Sequence, residues 1–493
     1  MNDWIQSDLL LYCFNQMHKY SDNFQYSVLR SLLLFLLIGN GLPGVWAADT
    51  AINKVDLEFL NDVQQRTFNW FWDYSNSQNG LTLDRAPKEN AFASIAGVGF
   101  ALTSYPVAVE RGFLDRNHAV EKTLATLEFF MKSNQTEDPV ETSGYRGFYY
   151  HFLDPESGLR FRKVELSTID TALLMAGVLF CREYYHRDTE LERRIRELSD
   201  FLYRRVEWDW TQVRGGLISH GWKPESGMLK HDYNGYNEAM ILYILALGSP
   251  THPVREDSWQ SFVDTYTWTD FYGQPHVNFT PLFGHQYSHV WIDFRGIKDA
   301  YMREQGIDYF ENSRRATYAQ RSYAIENPLQ WKDYSSDIWG LTACDGPANG
   351  EWEYMGEMRR FWTYTARGTS AVRRRDDGTI APTAAGGSVV FAPEIVIPTL
   401  KAMVERYGND VFTQYGFVDA FNPSFQYNES NLRHGHISPG IGWFDNEHLG
   451  IDQGPIILMI ENYRSEFVWN VMKRSPYIQS GLRKAGFSGG WLE

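Results

Sequence analysis

Three cysteines among 493 residues exclude a disulfide framework, and Cys13 falls in the N-terminal leader described below, leaving Cys181 and Cys344. No run of 18 uninterrupted apolar residues occurs, so no membrane-spanning helix or anchor is expected. Basic side chains are in deficit: 46 Lys and Arg against 61 Asp and Glu give a net charge of -15, which disfavours nucleic acid and polyanionic glycans as partners. Several motifs are also missing. His285 and His289 have the spacing of a zinc pair, but Gln286 stands where H-E-x-x-H needs its Glu, so no metal is expected. The glycine turn Ala385-Gly386-Gly387-Ser388 has no Lys for a phosphate loop. Arg373 to Arg375 are followed by Asp376 and Asp377, and read as a solvated, partly neutralised loop.

What is present is a core-building mixture, 43% hydrophobic and 16% aromatic, which excludes a disordered chain. Near the N-terminus, Arg30, the apolar run Leu32 to Ile38 and the small-residue pattern ending at Ala47 and Ala48 read as a secretory signal over residues 1–47, with Met17 as an alternative start. A periplasmic or secreted protein follows, with one domain expected over residues 50–493.

Strand-like alternation is sparse, whereas long apolar segments of helical length recur. Six begin near Ala91, Ser167, Tyr236, Gln286, Ala392 and Pro455. A helix apolar on every side must be buried on every side. Between them lie charged amphipathic stretches such as Arg116 to Lys132, Thr189 to Arg205 and Asp299 to Arg321, suited to an outer layer. Six inner helices alternating with six outer ones predict an all-α fold, an (α/α)6 toroid. The inner helix starts would then share one rim and line one cavity.

Three acidic residues sit near those starts: Asp170, Glu238 and Asp452. Each has a plain structural role available. Ser167 and Asp170 fit a capping box, Glu238 suits a first helical turn, and Asp452, ahead of Pro455, suits an N-cap. Their joint position on one rim favours chemistry instead. Glycosidic hydrolysis needs a carboxylic acid to protonate the leaving oxygen and a carboxylate to activate water. Glu238 has the more apolar flank (Tyr236, Met240, Tyr243) and is the expected acid; Asp452, with Asn446, Glu447, His448 and Gln453 around it, is the expected base.

Candidate substrate-binding residues are Tyr236, Gln286, His289, Arg295 and Trp443; Tyr236 flanks the acid, and Trp443 sits in a polar loop where an indole offers a sugar an apolar face. His289 and Asp293 are expected to form a hydrogen-bonded pair in a pocket wall. A polysaccharide lyase, with Tyr287 or His289 as base and Arg295 as cation, stays open, as does a silent glycan-binding protein.

The stretches STIDTALL (167–174), YNEAMILYILALGSPTHP (236–253), LFGHQYSHVWIDFRG (282–296), NSRRAT (312–317), PTAAGGSVVFAPE (382–394) and GIDQGPIILMIENYR (450–464) resemble the bacterial glucoamylase-like domain. That domain is shared by endo-β-1,2-glucanases of glycoside hydrolase family 144 and by a region of cyclic β-1,2-glucan synthases. The resemblance runs from about Val55 to Trp469. It implies an (α/α)6 toroid and an inverting hydrolase of β-1,2-glucan with no metal or other cofactor. The acid maps to Glu238, a second carboxylate to Asp452, and the neighbouring pocket carboxylates to Glu165 and Asp170. Endo action and exo action, the latter as a β-glucosidase or a sophorose-releasing enzyme, remain alternatives.

Overall fold

Pairs of glycines and all-apolar faces set how the buried helices meet. The computed structural model describes residues 53–88, 91–427 and 432–493, of which Val55–Glu493 form one compact unit. The leader lies outside the described residues. In chain order the helices are α1 (Lys54–Asp73), α2 (Ile95–Glu110), α3 (Arg116–Lys132), α4 (Thr168–Tyr184), α5 (Glu190–Arg204), α6 (Met240–Gly248), α7 (Ser258–Val263), α8 (Tyr287–Trp291), α9 (Ala300–Gln305), α10 (Tyr309–Glu326), α11 (Pro382–Gly386), α12 (Pro393–Tyr407), α13 (Gly450–Ser465), α14 (Phe467–Met472) and α15 (Pro476–Lys484). The protein is therefore mostly helical but not all-α. Among the described residues, ten antiparallel sheets of only two or three short strands brace the loops.

α2, α4, α6 and α13 bury most of their side chains, as their mainly apolar composition requires. α2 packs on α4, α4 on α6, α6 on α8, α8 on α13, α11 on α13, and α13 on α2. The tightest approach is glycine on glycine. A Cβ on Gly99 would stand 2.3 Å from the Leu173 carbonyl oxygen, and one on Gly177 would stand 2.2 Å from that of Gly99. Any side chain there would force the two backbones apart, at a cost of about 1–3 kcal/mol. Ser94 and Ser167 cap α2 and α4 by accepting from Gly97 N and Asp170 N.

Two expected outer helices, α3 and α5, occupy their predicted stretches. The third divides into α9 and α10 because Gly306 turns left-handed (φ 76°) and ends α9. The fifth inner element also differs from expectation. α12, which begins at the Ala392 start, buries one face only, and the wholly buried element against α13 is the five-residue α11 just before it. α8 is short as well: Ile292 is extended, and Asp293 leaves the helix to meet Arg295 and Lys473.

One buried ion pair fixes the loop that carries Asp345. Arg367 donates to both Asp377 oxygens (2.7 and 2.8 Å) and to the carbonyls of Cys344 and Asp345, with both charged side chains fully buried. Breaking it would strand a buried charge, at a cost of about 3–5 kcal/mol. Cys181 and Cys344 are both free and buried.

Candidate active site

Glu238 lies in the turn just ahead of α6, where Ser288 Oγ donates to its main-chain carbonyl (2.8 Å). Its carboxyl is pushed up to about 7, first by burial and then by the Asp170 charge, against backbone hydrogen bonding that pulls it down. Asp170, in the first turn of α4, accepts from Ser167 Oγ, and its N–H donates back to that oxygen, so only the serine half of the expected capping box is seen. Glu165 precedes the same helix on the other side of His151. The His151 ring donates from Nδ1 to Glu165 Oε1 (2.9 Å) and turns Nε2 toward Asp170 Oδ2 (3.5 Å). Although burial works against its charge, Asp170 and Glu165 raise His151 to about 9. Hydrogen bonding to His151 in turn holds Glu165 near 2. All three acids act on the buried Tyr233 phenol and help to push it well above its ordinary value, after burial itself. The structure thus brings Glu165, Asp170 and Glu238 together.

Asp452 is in the first turn of α13, but it is not the cap. Leu449 holds that position, and Asp452 Oδ1 is buried without a hydrogen-bond partner. Nor do its polar sequence neighbours solvate it: Gln453 Nε2 donates to the Phe417 carbonyl, and His448 Nε2 meets Thr413 Oγ1. Burial, then the charge of Asp419 and a hydrogen bond with it, push Asp452 well above the carboxylate range. Asp419 is itself raised to about 7, by burial and by Asp345. It accepts Asp345 N at Oδ2 (2.7 Å), while its Oδ1 is buried without a partner. Two such carboxyls share one proton more readily than either holds a full charge.

Around this pair stand carboxylates that sequence reasoning missed. Arg85 donates to Asp84 (3.2 Å), Asp345 (2.7 Å) and Glu447 (3.2 Å), and Lys88 donates to Glu447 (3.1 Å). Against burial, His434, Lys88 and Arg85 hold Glu447 near 2. Asp445, by contrast, is pushed well up by burial and by Asp345 and Asp419. Asp84, Asp345 and Asp419 come from loops and short strands, where no periodic pattern flags them. The one available signal was position: Asp84 and Arg85 precede the first buried helix, and Asp445 to His448 precede α13.

The two groups form one site. Asp84 acts on His151 on one side and is affected by Arg85 and Asp345 on the other. Tyr287, the first residue of α8, is pushed well above its ordinary value by burial and then by charges that include Asp452 and Glu238, so both carboxyls act on one phenol. Asp345, His434 and Asp445 each offer a potential ligand atom within 4.8 Å of the others. Arg85 already donates to Asp345 Oδ2, which makes this an ion-pair network rather than a cage for a cation.

Of the expected substrate-binding residues, Tyr236, Gln286, His289 and Trp443 are buried and Arg295 is half-buried. Tyr236 packs among Tyr266, His285 and Tyr309. Gln286 ties α8 to α11 by donating to the Ala384 carbonyl and Ser388 Oγ (both 2.8 Å). His289 meets Ser313 Oγ (3.0 Å), and burial pushes it down to about 3. It makes no hydrogen bond to Asp293, whose oxygens are taken by Arg295 and Lys473. Arg295 also pairs with Glu466 and lies 4.4 Å over the Trp469 ring. Trp443 is fully buried and donates to the His434 carbonyl (3.0 Å), holding the loop that carries that imidazole. Arg295 and His289 are thus committed to structural partners, which leaves the lyase arrangement without its cation and without one of its two possible bases.

A family model described as "Putative glucoamylase" matches residues 230–476. An exo β-1,2-glucooligosaccharide sophorohydrolase (non-reducing end) from Parabacteroides distasonis is 27% identical over 469 residues, covering 88% of this chain and 58% of its own length. The chain thus spans little more than half of that curated relative. A solved structure from Bacteroides uniformis, described as a putative glucoamylase, is 31% identical with a TM-score of 0.77, covering 90% of this chain and 100% of its own. An endo-β-1,2-glucanase from Chitinophaga pinensis, solved with sophorotriose and glucose, is 27% identical with a TM-score of 0.75 and the same coverages.

Proposed function

The chain belongs to the glucoamylase-like family, and from that premise we propose that it is a glycoside hydrolase that cleaves β-1,2-glucan by inversion, on an (α/α)6 toroid. The chain-ordered contacts of the buried helices and the likeness to the glucanase structures support the toroid. One observation carries the chemistry: a carboxyl raised to about 7, Glu238, acts on the same Tyr287 phenol as a buried carboxyl pair, Asp452 with Asp419.

Glu238, protonated, gives its proton to the glycosidic oxygen as the bond to the anomeric carbon breaks. Water attacks the opposite face of that carbon, and its proton passes to the Asp452–Asp419 pair, which holds one proton before the step and two after it. His151 keeps Glu165 and Asp170 in place beside the acid. Exo release of sophorose is the second reading, favoured by the name of the Parabacteroides relative. Reducing-sugar release from β-1,2, β-1,3, β-1,4 and α-1,4 glucans tests the linkage, with turnover expected on β-1,2 alone. Early mixed oligosaccharides would mean endo action, and a single disaccharide exo action.

The apolar run and small-residue pattern of residues 30–48 support export to the periplasm or medium. Among the described residues no helix is long and apolar enough to cross a membrane.

A further inference from the structure

The arginine run at 373–375 is not neutralised by the aspartates that follow it. Asp376 accepts from Tyr323, Trp331, Tyr334 and Gly378 N, and Asp377 is taken by Arg367, Trp362 N and Thr379 N. Asp377 is buried away from the arginines, and Asp376, which lines the same pocket, spends its oxygens on these other donors, so neither forms an ion pair with the run. Arg359, Arg360, Arg373, Arg374 and Arg375 then line one open pocket of about 450 Å³. Only Arg359 has a carboxylate partner, Glu357 (2.7 Å), and Arg375 reaches Thr365 Oγ1 (2.7 Å). Five cations gathered on a protein of net charge -15 repel one another unless an anion joins them. The pocket also has aromatic walls, Trp331 and Trp362, with Arg359 and Arg375 over their rings at 5.7 and 5.6 Å. Indole faces beside planar guanidinium groups suit a sugar that bears a carboxylate or phosphate ester.

The pocket borders the candidate active site through the chain itself. Trp362 lies two residues before Tyr364, the first residue of a short strand. The strand Tyr364–Ala366 pairs with Ala343–Asp345, which carries one of the site's carboxylates.

We propose that this pocket is an accessory subsite for the anionic substituents of a glucan chain, so that the enzyme takes acid-substituted as well as neutral β-1,2-glucan. The inference rests on the proposed glucanase activity for its sugar and on the arginine pocket alone for its anion. The test uses the whole chain and β-1,2-gluco-oligosaccharides treated with succinic anhydride, with the same oligosaccharides acetylated to equal degree as the neutral control. The paired change Arg360→Gln and Arg373→Gln removes two exposed guanidinium groups from the pocket lining. It should raise KM for the succinylated chains on the order of 10-fold, with KM for the acetylated and unmodified chains held within about twofold, since charge-assisted contacts to an anion are worth about that much. Added salt should erase the difference. Equal KM values for succinylated and acetylated chains in both proteins would overturn the proposal. Quenching of tryptophan fluorescence by the succinylated chains reads binding without turnover, so a protein that binds them through these arginines but cleaves no β-1,2-glucan would refute the activity and leave the anion site standing. Quenching by inorganic phosphate alone, with none by the succinylated chains, would show a free-anion site and refute the subsite.

Discussion

Around Glu238 one imidazole serves two carboxylates, and the third is left without a cation. His151 reaches Glu165 and Asp170, while Glu238, beyond its reach, is raised to about 7. Around Asp452 the cations are more numerous but distributed in the same way. Arg85 and Lys88 hydrogen-bond to Asp84, Asp345 and Glu447; Glu447 is held near 2, whereas burial pushes Asp84 up despite Arg85, as it does Asp452, Asp419 and Asp445, which have no hydrogen bond from either cation. On both sides a glutamate bonded to a cation is held near 2, and carboxyls without a hydrogen-bonded cation are pushed up by burial. The difference lies in number: a lone carboxyl holds its own proton and can give it away, whereas crowded carboxyls share one and can take another.

The largest expected effect comes from removing the lone proton donor. Glu238→Gln should lower kcat by about 100-fold or more while KM stays close to that of the native enzyme, because general acid catalysis is worth at least that much. The same change should act oppositely on stability. A carboxyl whose folded value is raised from 4.5 to about 7 favours folding only while it is protonated, and that benefit is lost as pH rises from 4.5 through 7. Thermal unfolding of Glu238→Gln at pH 8 should therefore occur at higher temperature than that of the native protein, with the gap closing by pH 4. A variant less stable at both pH values would mean that Glu238 is held by contacts rather than by desolvation.

The paired side should respond in two parts. Asp452→Asn is expected to cost about 100-fold in kcat. Asp419→Asn removes the neighbour that raises Asp452, so the remaining carboxyl should fall toward its ordinary value and ionise at lower pH. The acidic limb of the rate profile should then move down in pH, with a smaller loss of rate than in Asp452→Asn. An unmoved limb would show that the two do not share a proton, and equal loss in both variants would make Asp419 as direct a participant as Asp452.

How much of this the chain reveals by itself depends on the kind of element. α3 and α5 are legible because charged and apolar residues recur along them, and α2, α4, α6 and α13 because each carries a long, mainly apolar run. α11 is hidden, since five residues are too few to show a period, and the longer α12 beside it takes the apolar signal. In the site, Asp170, Glu238 and Asp452 are found because helix starts can be read and a shared rim inferred, whereas Glu165 enters only through the resemblance to the glucoamylase-like domain. Asp84, Asp345 and Asp419 depend on pairings such as 343–345 with 364–366 and on the Arg367–Asp377 ion pair, which join distant loops by backbone geometry. Tyr236, Gln286, His289 and Trp443 have the polar chemistry of a sugar site, but their hydrogen bonds and rings serve the packing around it.

A smaller effect is expected from the link between His151 and Glu165. Glu165 is lowered from 4.5 to about 2, so its contribution to folding is present above pH 4.5 and lost as pH falls through 2. His151 is raised from 6.5 to about 9, so its share is present below pH 6.5 and lost as pH rises through 9. Glu165→Gln should lower the urea midpoint most between pH 4.5 and 6.5 and least at the two extremes. Because both side chains remain about a third exposed, the loss should be modest, about 1 kcal/mol. A midpoint shift that is constant with pH would mean that packing, not the ion pair, is what Glu165 supplies.

The smallest effect tests whether Asp170 belongs to the chemistry or only to the helix. Its charge is second to burial in raising Glu238, and its oxygen accepts from the Ser167 hydroxyl that caps α4. Asp170→Asn keeps an acceptor in the same place, so the cap should survive with a loss of less than about 1 kcal/mol. The missing charge should let Glu238 ionise somewhat earlier, which shifts the alkaline limb of kcat to lower pH and leaves the rate at pH 5 within about 10-fold of the native value. Burial alone would keep most of the Glu238 shift, so the limb should move by less than one unit, a bound that follows from Asp170 being the lesser cause. A loss near 100-fold at pH 5 would instead place Asp170 among the groups that touch the reacting atoms, and the division between a lone donor and its ionised supports would have to be redrawn with Asp170 on the other side.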